Sequence, residues 1–487
     1  MINVSRLTRI ARIGLPSPSS LILKDNSRII RKHAQYSNNS IIITHTFSKR
    51  FYSQQTKAGK SFNDKEKSNR TKKFFIRLGF GLLIPYTCYA VFVSLSAFRE
   101  IGIRNKLLID VEHDDQNFEG TLLKYSPLQV LGRYENPFPE YRIQTVYEFF
   151  FNRVVELFER NRGGIPPDPR QMEKLMPVHK PEWPAGIENT TEPLIEYKIV
   201  HRDSADFREE RNDSTLKSVE LENIPIYNTW LGQSCNYVMY NGLKIITDPI
   251  FSEYLLHENI GPKRITGRPA LITEVPQPDI ILISHNHPDH LDMLSLDHWA
   301  ASDTLWIVPK GMGKFMRNHN VKNVIELSWW DKCELSKNNQ NYEVACTPAM
   351  HWSGRYVYDT NQSLWCTFMF SHNDKPIMFH GGDTGYVHDL FKRIGQRYGY
   401  GVRLALLPCG QYCPEWHQRP RHINPTEVIK IMDDLKAKNV LGVHWGTFLL
   451  SGEYFLEPKE KLEQLAVFAG IRENCYCPEL GQTIRFE

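Results

Sequence analysis

Short apolar runs, bounded by glycine, proline or polar residues, recur through the C-terminal part of this 487-residue chain. Ile280-Ile281-Leu282-Ile283, the segment from Tyr342 to Thr347, Pro376-Ile377-Met378-Phe379 and Val440-Leu441-Gly442-Val443 read as strands, each running into a loop. Helical periodicity separates some of them, as over 425–438, so the region 225–487 is predicted to be an α/β domain. Upstream, Ile143, Val146, Phe150, Val154, Leu157 and Phe158 fall on one face of a helix predicted over 141–162, suited to packing on a core or to lying on a membrane. A charged stretch at about 201–222 has no apolar period and reads as a solvated insertion. Further upstream, residues 78–98 form 21 positions without a charge, flanked by Lys72, Lys73, Arg77 and Arg99. About 20 apolar residues suffice to span a bilayer, so 78–98 is predicted to be a transmembrane helix; a buried soluble helix is the alternative.

Charge divides the chain at that segment. The sequence holds 59 basic and 55 acidic residues, of which 1–77 takes 17 and 3, leaving 42 and 52 for 78–487. The larger part is therefore acidic, which argues against a nucleic-acid partner. Residues 1–52 are rich in Arg and Ser and contain Asp25 as their single acid, the makeup of a mitochondrial presequence. Arg50-Phe51-Tyr52-Ser53 resembles a processing site with cleavage before Ser53. Residues 53–77 then form a basic segment on the matrix side, and 99–224 a connector and N-terminal extension. The lysines before 78–98 favour the matrix side, so the chain is expected to cross the mitochondrial inner membrane once, with its C-terminal domain in the intermembrane space. Nine cysteines include no C-x-x-C pair, so no zinc ribbon or redox motif is indicated.

The chemistry is concentrated in His285-Asn286-His287-Pro288-Asp289-His290, immediately after a strand. Imidazole and carboxylate are ligands for zinc and related divalent ions. One such loop can serve two ions, His285 and His287 facing one, Asp289 and His290 the other. Further candidates follow other strands: His351, Asp383 in Gly381-Gly382-Asp383-Thr384-Gly385, and His444. Each sits where a strand end would deliver a side chain to a sheet rim.

The order HxHxDH, His, Asp, His resembles the metallo-β-lactamase superfamily of binuclear hydrolases. Asn136-Pro137-Phe138-Pro139, Thr229-Trp230-Leu231-Gly232, Thr247-Asp248-Pro249-Ile250-Phe251-Ser252, Gly382-Asp383-Thr384-Gly385-Tyr386 and Val443-His444-Trp445-Gly446-Thr447-Phe448 are similar to the N-acylphosphatidylethanolamine-hydrolysing phospholipase D family. The resemblance implies an αββα sandwich with its metals at one sheet edge. It assigns His285, His287 and His351 to one ion, Asp289, His290 and His444 to the other, and Asp383 to both. It implies two Zn2+ per subunit, with iron or manganese also compatible, and a homodimer. Asp248 would orient the ligand loop without binding metal. His422 would lie near the substrate phosphate; a residue preceding a helix is the alternative. Gln233 stands where relatives carry His, which argues against a polar role there.

The activity so implied is hydrolysis of N-acylphosphatidylethanolamine, a membrane phospholipid, to N-acylethanolamine and phosphatidic acid. Metal-bridged hydroxide would attack phosphorus, Asp289 orienting it and His422 assisting. Another binuclear hydrolase, such as a lactonase or phosphodiesterase, and a non-catalytic lipid-binding scaffold are the competing readings.

Overall fold

The computed structural model describes residues 56–487 apart from 110–117, 144, 146, 149–150, 153, 155–161, 185–194, 205–220, 260 and 357. The predicted presequence over 1–52, most of the charged insertion and most of the apolar face predicted over 141–162 lie outside these residues. The chain divides into two units, up to Tyr89 and from Ala90 onward.

The first described element is the helix Thr56–Ile109, 54 residues long with Pro85 inside it. Its stretch Asn69–Arg104 is long and apolar enough to cross a membrane, with a mean hydropathy of 1.8 over an 18-residue window. In the first unit, Phe74, Phe75, Phe80, Leu82 and Ile84 are exposed. The hydroxyl of Thr87 donates to the Leu83 carbonyl, which satisfies a polar group inside the apolar stretch. The helix overruns both ends of the predicted 78–98 segment. The basic residues before it and those after it continue the same helix, because Lys and Arg are good helix formers and nothing there breaks it.

In the second unit, two sheets are built from the predicted strands and from several that the apolar pattern misses. One has seven strands in the spatial order Thr483–Phe486, Ile226–Gly232, Cys235–Tyr240, Leu243–Thr247, Ile280–Leu282, Leu305–Pro309, Val324–Leu327. Its first four pair antiparallel and the rest parallel. The other has eight, in the order Cys475–Tyr476, Asn439–Val443, Leu404–Pro408, Lys375–His380, Thr367–His372, Gln340–Thr347, Lys332–Lys337, Glu196–Val200. Here the Cys475 end is parallel and the Glu196 end antiparallel. The edge strand Glu196–Val200 precedes residue 225, so the extension completes the sheet.

Side-chain alternation explains the layering. Ile280 and Leu282 join one core with Val344, Phe368, Phe370 and Met378 of the other sheet. Ile281 and Ile283 point the opposite way, into a second core with Leu296, Trp299 and Met316 from the helices Met293–Trp299 and Gly313–Asn318. A strand buried on both faces reads as an unbroken apolar run, and that is why 280–283 carries no alternation. Helix Pro425–Leu435 packs on the helices Leu390–Tyr398 and Glu457–Ala469, and also on the strands Leu404–Pro408 and Asn439–Val443. The arrangement is the expected αββα sandwich. Upstream, Phe138 is fully buried, its ring 5.9 Å from that of Tyr125 and 5.7 Å from Trp329.

Candidate metal centre

Strand ends from both sheets meet at one rim. The loop after Ile280–Leu282 brings His285, His287, Asp289 and His290; Gln340–Thr347 leads to His351, Lys375–His380 to Asp383, and Asn439–Val443 to His444. All seven are buried. They form two groups that could each hold an ion: His285, His287, His351 and Asp383, then Asp289, His290, Asp383 and His444. Asp383 belongs to both, the same two groups that the resemblance implies.

The donor atoms fit divalent ions. His285 Nε2 lies 2.7 Å from His287 Nδ1, which lies 3.4 Å from His351 Nε2. The outer nitrogens of His285 and His351 donate elsewhere, to Ser284 Oγ at 2.9 Å and to the Arg421 carbonyl at 2.9 Å. The Nε2 lone pairs of His285 and His351 therefore both point at His287 Nδ1, an inward-facing donor set that a cation can occupy. Ligands about 2.0–2.1 Å from a tetrahedral ion sit roughly 3.4 Å apart. In the second group His290 Nε2 and His444 Nε2 are 3.1 Å apart, and each is 3.1 Å from an oxygen of Asp383. Asp289 Oδ2 stands 3.5 and 3.4 Å from the same two nitrogens.

Electrostatics point the same way. Burial lowers His287 to about 3, so its imidazole is neutral and able to ligate. Burial alone would also lower His290, but Asp383, Asp289 and Asp248 outweigh it and raise it well above the usual histidine value. Three carboxylates converge on one imidazole; the site demands positive charge.

Asp248 holds the ligand loop in place from behind. Its Oδ1 accepts the Ser284 amide at 2.7 Å; its Oδ2 accepts Ser284 Oγ at 2.8 Å, His290 Nδ1 at 2.9 Å and His380 Nε2 at 2.8 Å. Through Ser284 it also orients His285, so one carboxylate fixes a histidine of each group. Burial pushes the Asp248 carboxyl up, but His380 and His290 prevail and bring it to about 2. Asp248 and His444 have φ of 37° and 64°, left-handed values that cost energy for non-glycine residues and cluster at functional sites.

His422 is buried, with Nδ1 3.9 Å from Asp383 Oδ2 and its ring 5.1 Å from that of His351. It also lies just ahead of a helix, Pro425–Leu435, whose cap is Asn424. Burial lowers it to about 4.

Four contributors escape the sequence pattern. Gln233 Nε2 lies 2.9 Å from Asp289 Oδ2 and 2.9 Å from His444 Nε2. The expectation that this position has no polar role is thus corrected: the Gln233 amide reaches both residues from a backbone at φ 50°. Asn136 Nδ2 donates to the His351 carbonyl at 2.8 Å, which explains the Asn-Pro-Phe-Pro element. His380, the last residue of the strand Lys375–His380, pairs with Asp248. Arg421 holds His351 through its carbonyl. Histidines elsewhere in the domain stay outside the centre; His372, for example, lies 3.0 Å from the Tyr240 hydroxyl.

The chain resembles known proteins over this region. Residues 244–445 match the family model described as a beta-lactamase superfamily domain. The chain is 58% identical over 426 residues to the mitochondrial N-acyl-phosphatidylethanolamine-hydrolyzing phospholipase D of Saccharomyces cerevisiae, covering 86% of this chain and 89% of that protein. It is 34% identical over 249 residues to N-acyl-phosphatidylethanolamine-hydrolyzing phospholipase D 1 of Caenorhabditis elegans, covering 49% and 69%. Among solved structures, isothiocyanate hydrolase from Delia radicum gut bacteria superposes with a TM-score of 0.44 at 18% identity, over 54% of this chain and 99% of that one.

Proposed function

The chain belongs to the N-acyl-phosphatidylethanolamine-hydrolyzing phospholipase D family, and from that premise we propose that it hydrolyses N-acylphosphatidylethanolamine to N-acylethanolamine and phosphatidic acid. The observation that carries the reading is the pair of buried ligand groups sharing Asp383. We infer that they hold two zinc ions, His285, His287 and His351 at one and Asp289, His290 and His444 at the other. Such ions, when bound, supply Lewis acidity and a water that loses a proton near neutral pH.

The chain's own residues do the rest. Asp289 orients the attacking water, and its Oδ2 is steadied by the Gln233 amide. The water oxygen adds to phosphorus as the bond from phosphorus to the ethanolamine oxygen breaks, and a proton passes to that leaving oxygen. His422, neutral at physiological pH, donates a hydrogen bond to the phosphate or to the departing oxygen. Burial of the site excludes bulk water and strengthens each of these contacts.

A lipid substrate fits a membrane-attached enzyme. The yeast relative is named as mitochondrial, and an apolar helix of spanning length precedes the domain. The proposal therefore includes a cleaved presequence over 1–52, a single span of the inner membrane over 78–98, the basic 53–77 segment in the matrix, and the domain 225–487 with its 99–224 extension in the intermembrane space. Protease treatment of mitoplasts tests the orientation: a domain still protected after outer-membrane rupture reverses it. A homodimer belongs to the same reading and is checked by analytical ultracentrifugation in detergent. The activity is tested by mass spectrometry of N-acylethanolamine released from substrate vesicles, beside His287→Ala and Asp289→Asn. Release lost in both variants supports the assignment; none from folded, zinc-loaded wild type rejects the substrate.

A further inference from the structure

Next to the first ligand group lies an arginine that forms no ion pair among the described residues. Arg421 is partly buried, and its Nε is enclosed with no hydrogen-bond partner among the described residues. Its guanidinium carbon sits 4.8 Å from the ring centre of Trp352, and that ring stands 4.2 Å from His287. Tyr141 lies beside the guanidinium. The nearby carboxylate, Glu148, is committed elsewhere: its oxygens accept Arg142 Nη1 at 2.8 and 2.9 Å, and one lies 3.7 Å from His417 Nδ1. Burying a cation without a partner is costly, and proteins accept the cost where an anion arrives to complete the pair.

Resting on the phospholipid reading above, we propose that Arg421, laid over Trp352, is an anion subsite that grips the substrate's phosphate beside the metal centre. The guanidinium fork matches two oxygens of one phosphate. Trp352 holds its plane by cation–π contact, which fixes the fork without neutralising it. The stack from Arg421 through Trp352 to His287 keeps that fork one ring away from a ligand residue. The phosphodiester carries one negative charge and the phosphatidate product up to two, so the contact strengthens as the reaction proceeds. The link to His351 runs through the Arg421 carbonyl. A side-chain substitution therefore removes the anion contact and leaves the tether to the ligand in place.

The test uses the full-length, metal-loaded chain with Arg421→Gln and Arg421→Lys. Metal content is measured first, then binding of dibutyryl phosphatidate and of inorganic phosphate by calorimetry, then KM and kcat on substrate vesicles. Expected for Arg421→Gln is unchanged metal content, binding of dibutyryl phosphatidate weakened about 10–100-fold and a raised KM, with Arg421→Lys between it and wild type. Weakening for both ligands assigns the subsite to phosphate itself; weakening for phosphatidate alone assigns it to the glycerol-linked headgroup. Phosphatidate binding within twofold of wild type overturns the proposal. Loss of metal from Arg421→Gln also overturns it, making Arg421 a support for His351. If wild type binds phosphatidate through Arg421 but turns over no N-acylphosphatidylethanolamine, the subsite stands and the substrate reading falls.

Discussion

Replacing Asp248 by Asn removes one charge and almost no volume from a residue that touches no proposed ion. Its two oxygens accept four hydrogen bonds, from the Ser284 amide and hydroxyl, His290 and His380. An asparagine can keep its oxygen on the side that takes three of them, but its NH2 then faces the Ser284 N–H at a spacing now 2.7 Å. Turned round, it opposes three donors. Either way at least one buried donor is left unpaired, a cost of about 1–3 kcal/mol, and His290 loses the anion that fixes its ring. Groups that orient metal ligands are worth roughly 10–100-fold in affinity, or about 1.4–2.8 kcal/mol. Asp248→Asn should therefore bind zinc 10–100-fold more weakly, measured by competition with a chromophoric chelator, and hydrolyse substrate more slowly at limiting zinc. Excess zinc should restore much of the rate, because no proposed ligand or acid–base group is missing. A variant that binds both ions with wild-type affinity refutes the role given to Asp248. One that cannot be rescued at any zinc concentration refutes the division between it and the ligands.

Other perturbations reach different parts of the account. Gly382→Ala places a methyl 2.5 Å from Ser284 Cβ at a backbone φ of 50°; metal content and thermal midpoint should both fall, and an unchanged midpoint contradicts the packing. His422→Ala should keep both ions yet lose about 10²–10⁴-fold in kcat, whereas loss of metal on elemental analysis would make it structural. Burial raises Glu135 to about 7, against 4.5 for an ordinary glutamate. The folded chain thus favours the protonated form, and stability falls as pH rises from about 4.5 through 7. Glu135→Gln should melt higher than wild type at pH 8 but not at pH 4.5, by at most on the order of 3 kcal/mol; parallel melting curves across pH would refute this.

How much of this the sequence reveals depends on the range of each interaction. The seven candidate ligand residues are legible because histidine and aspartate at strand ends have few other reasons to gather, and the strands announce themselves as apolar runs. Asp248 was readable only through the resemblance. Its partner His380 was hidden, since a histidine ending a strand looks structural until Asp248, 132 positions away, is seen beside it. Gln233 and Asn136 act on His444 and His351 across 211 and 215 positions, and an amide carries no signature of such a contact. The edge strand Glu196–Val200 escaped because its first three residues are exposed, leaving no buried period to detect. The helix Thr56–Ile109 was recognised only in its apolar middle, since charged helical ends look like linkers when composition alone is read.

The measurement that tests the central claim most directly is hydrolysis of N-acylphosphatidylethanolamine vesicles by the zinc-loaded chain in oxygen-18 water, with mass spectrometry of both products. Attack on phosphorus puts one heavy oxygen into phosphatidic acid and none into N-acylethanolamine, and product formation should vanish in His287→Ala. Label in the N-acylethanolamine, or no product from a folded protein holding its metal, would contradict the account.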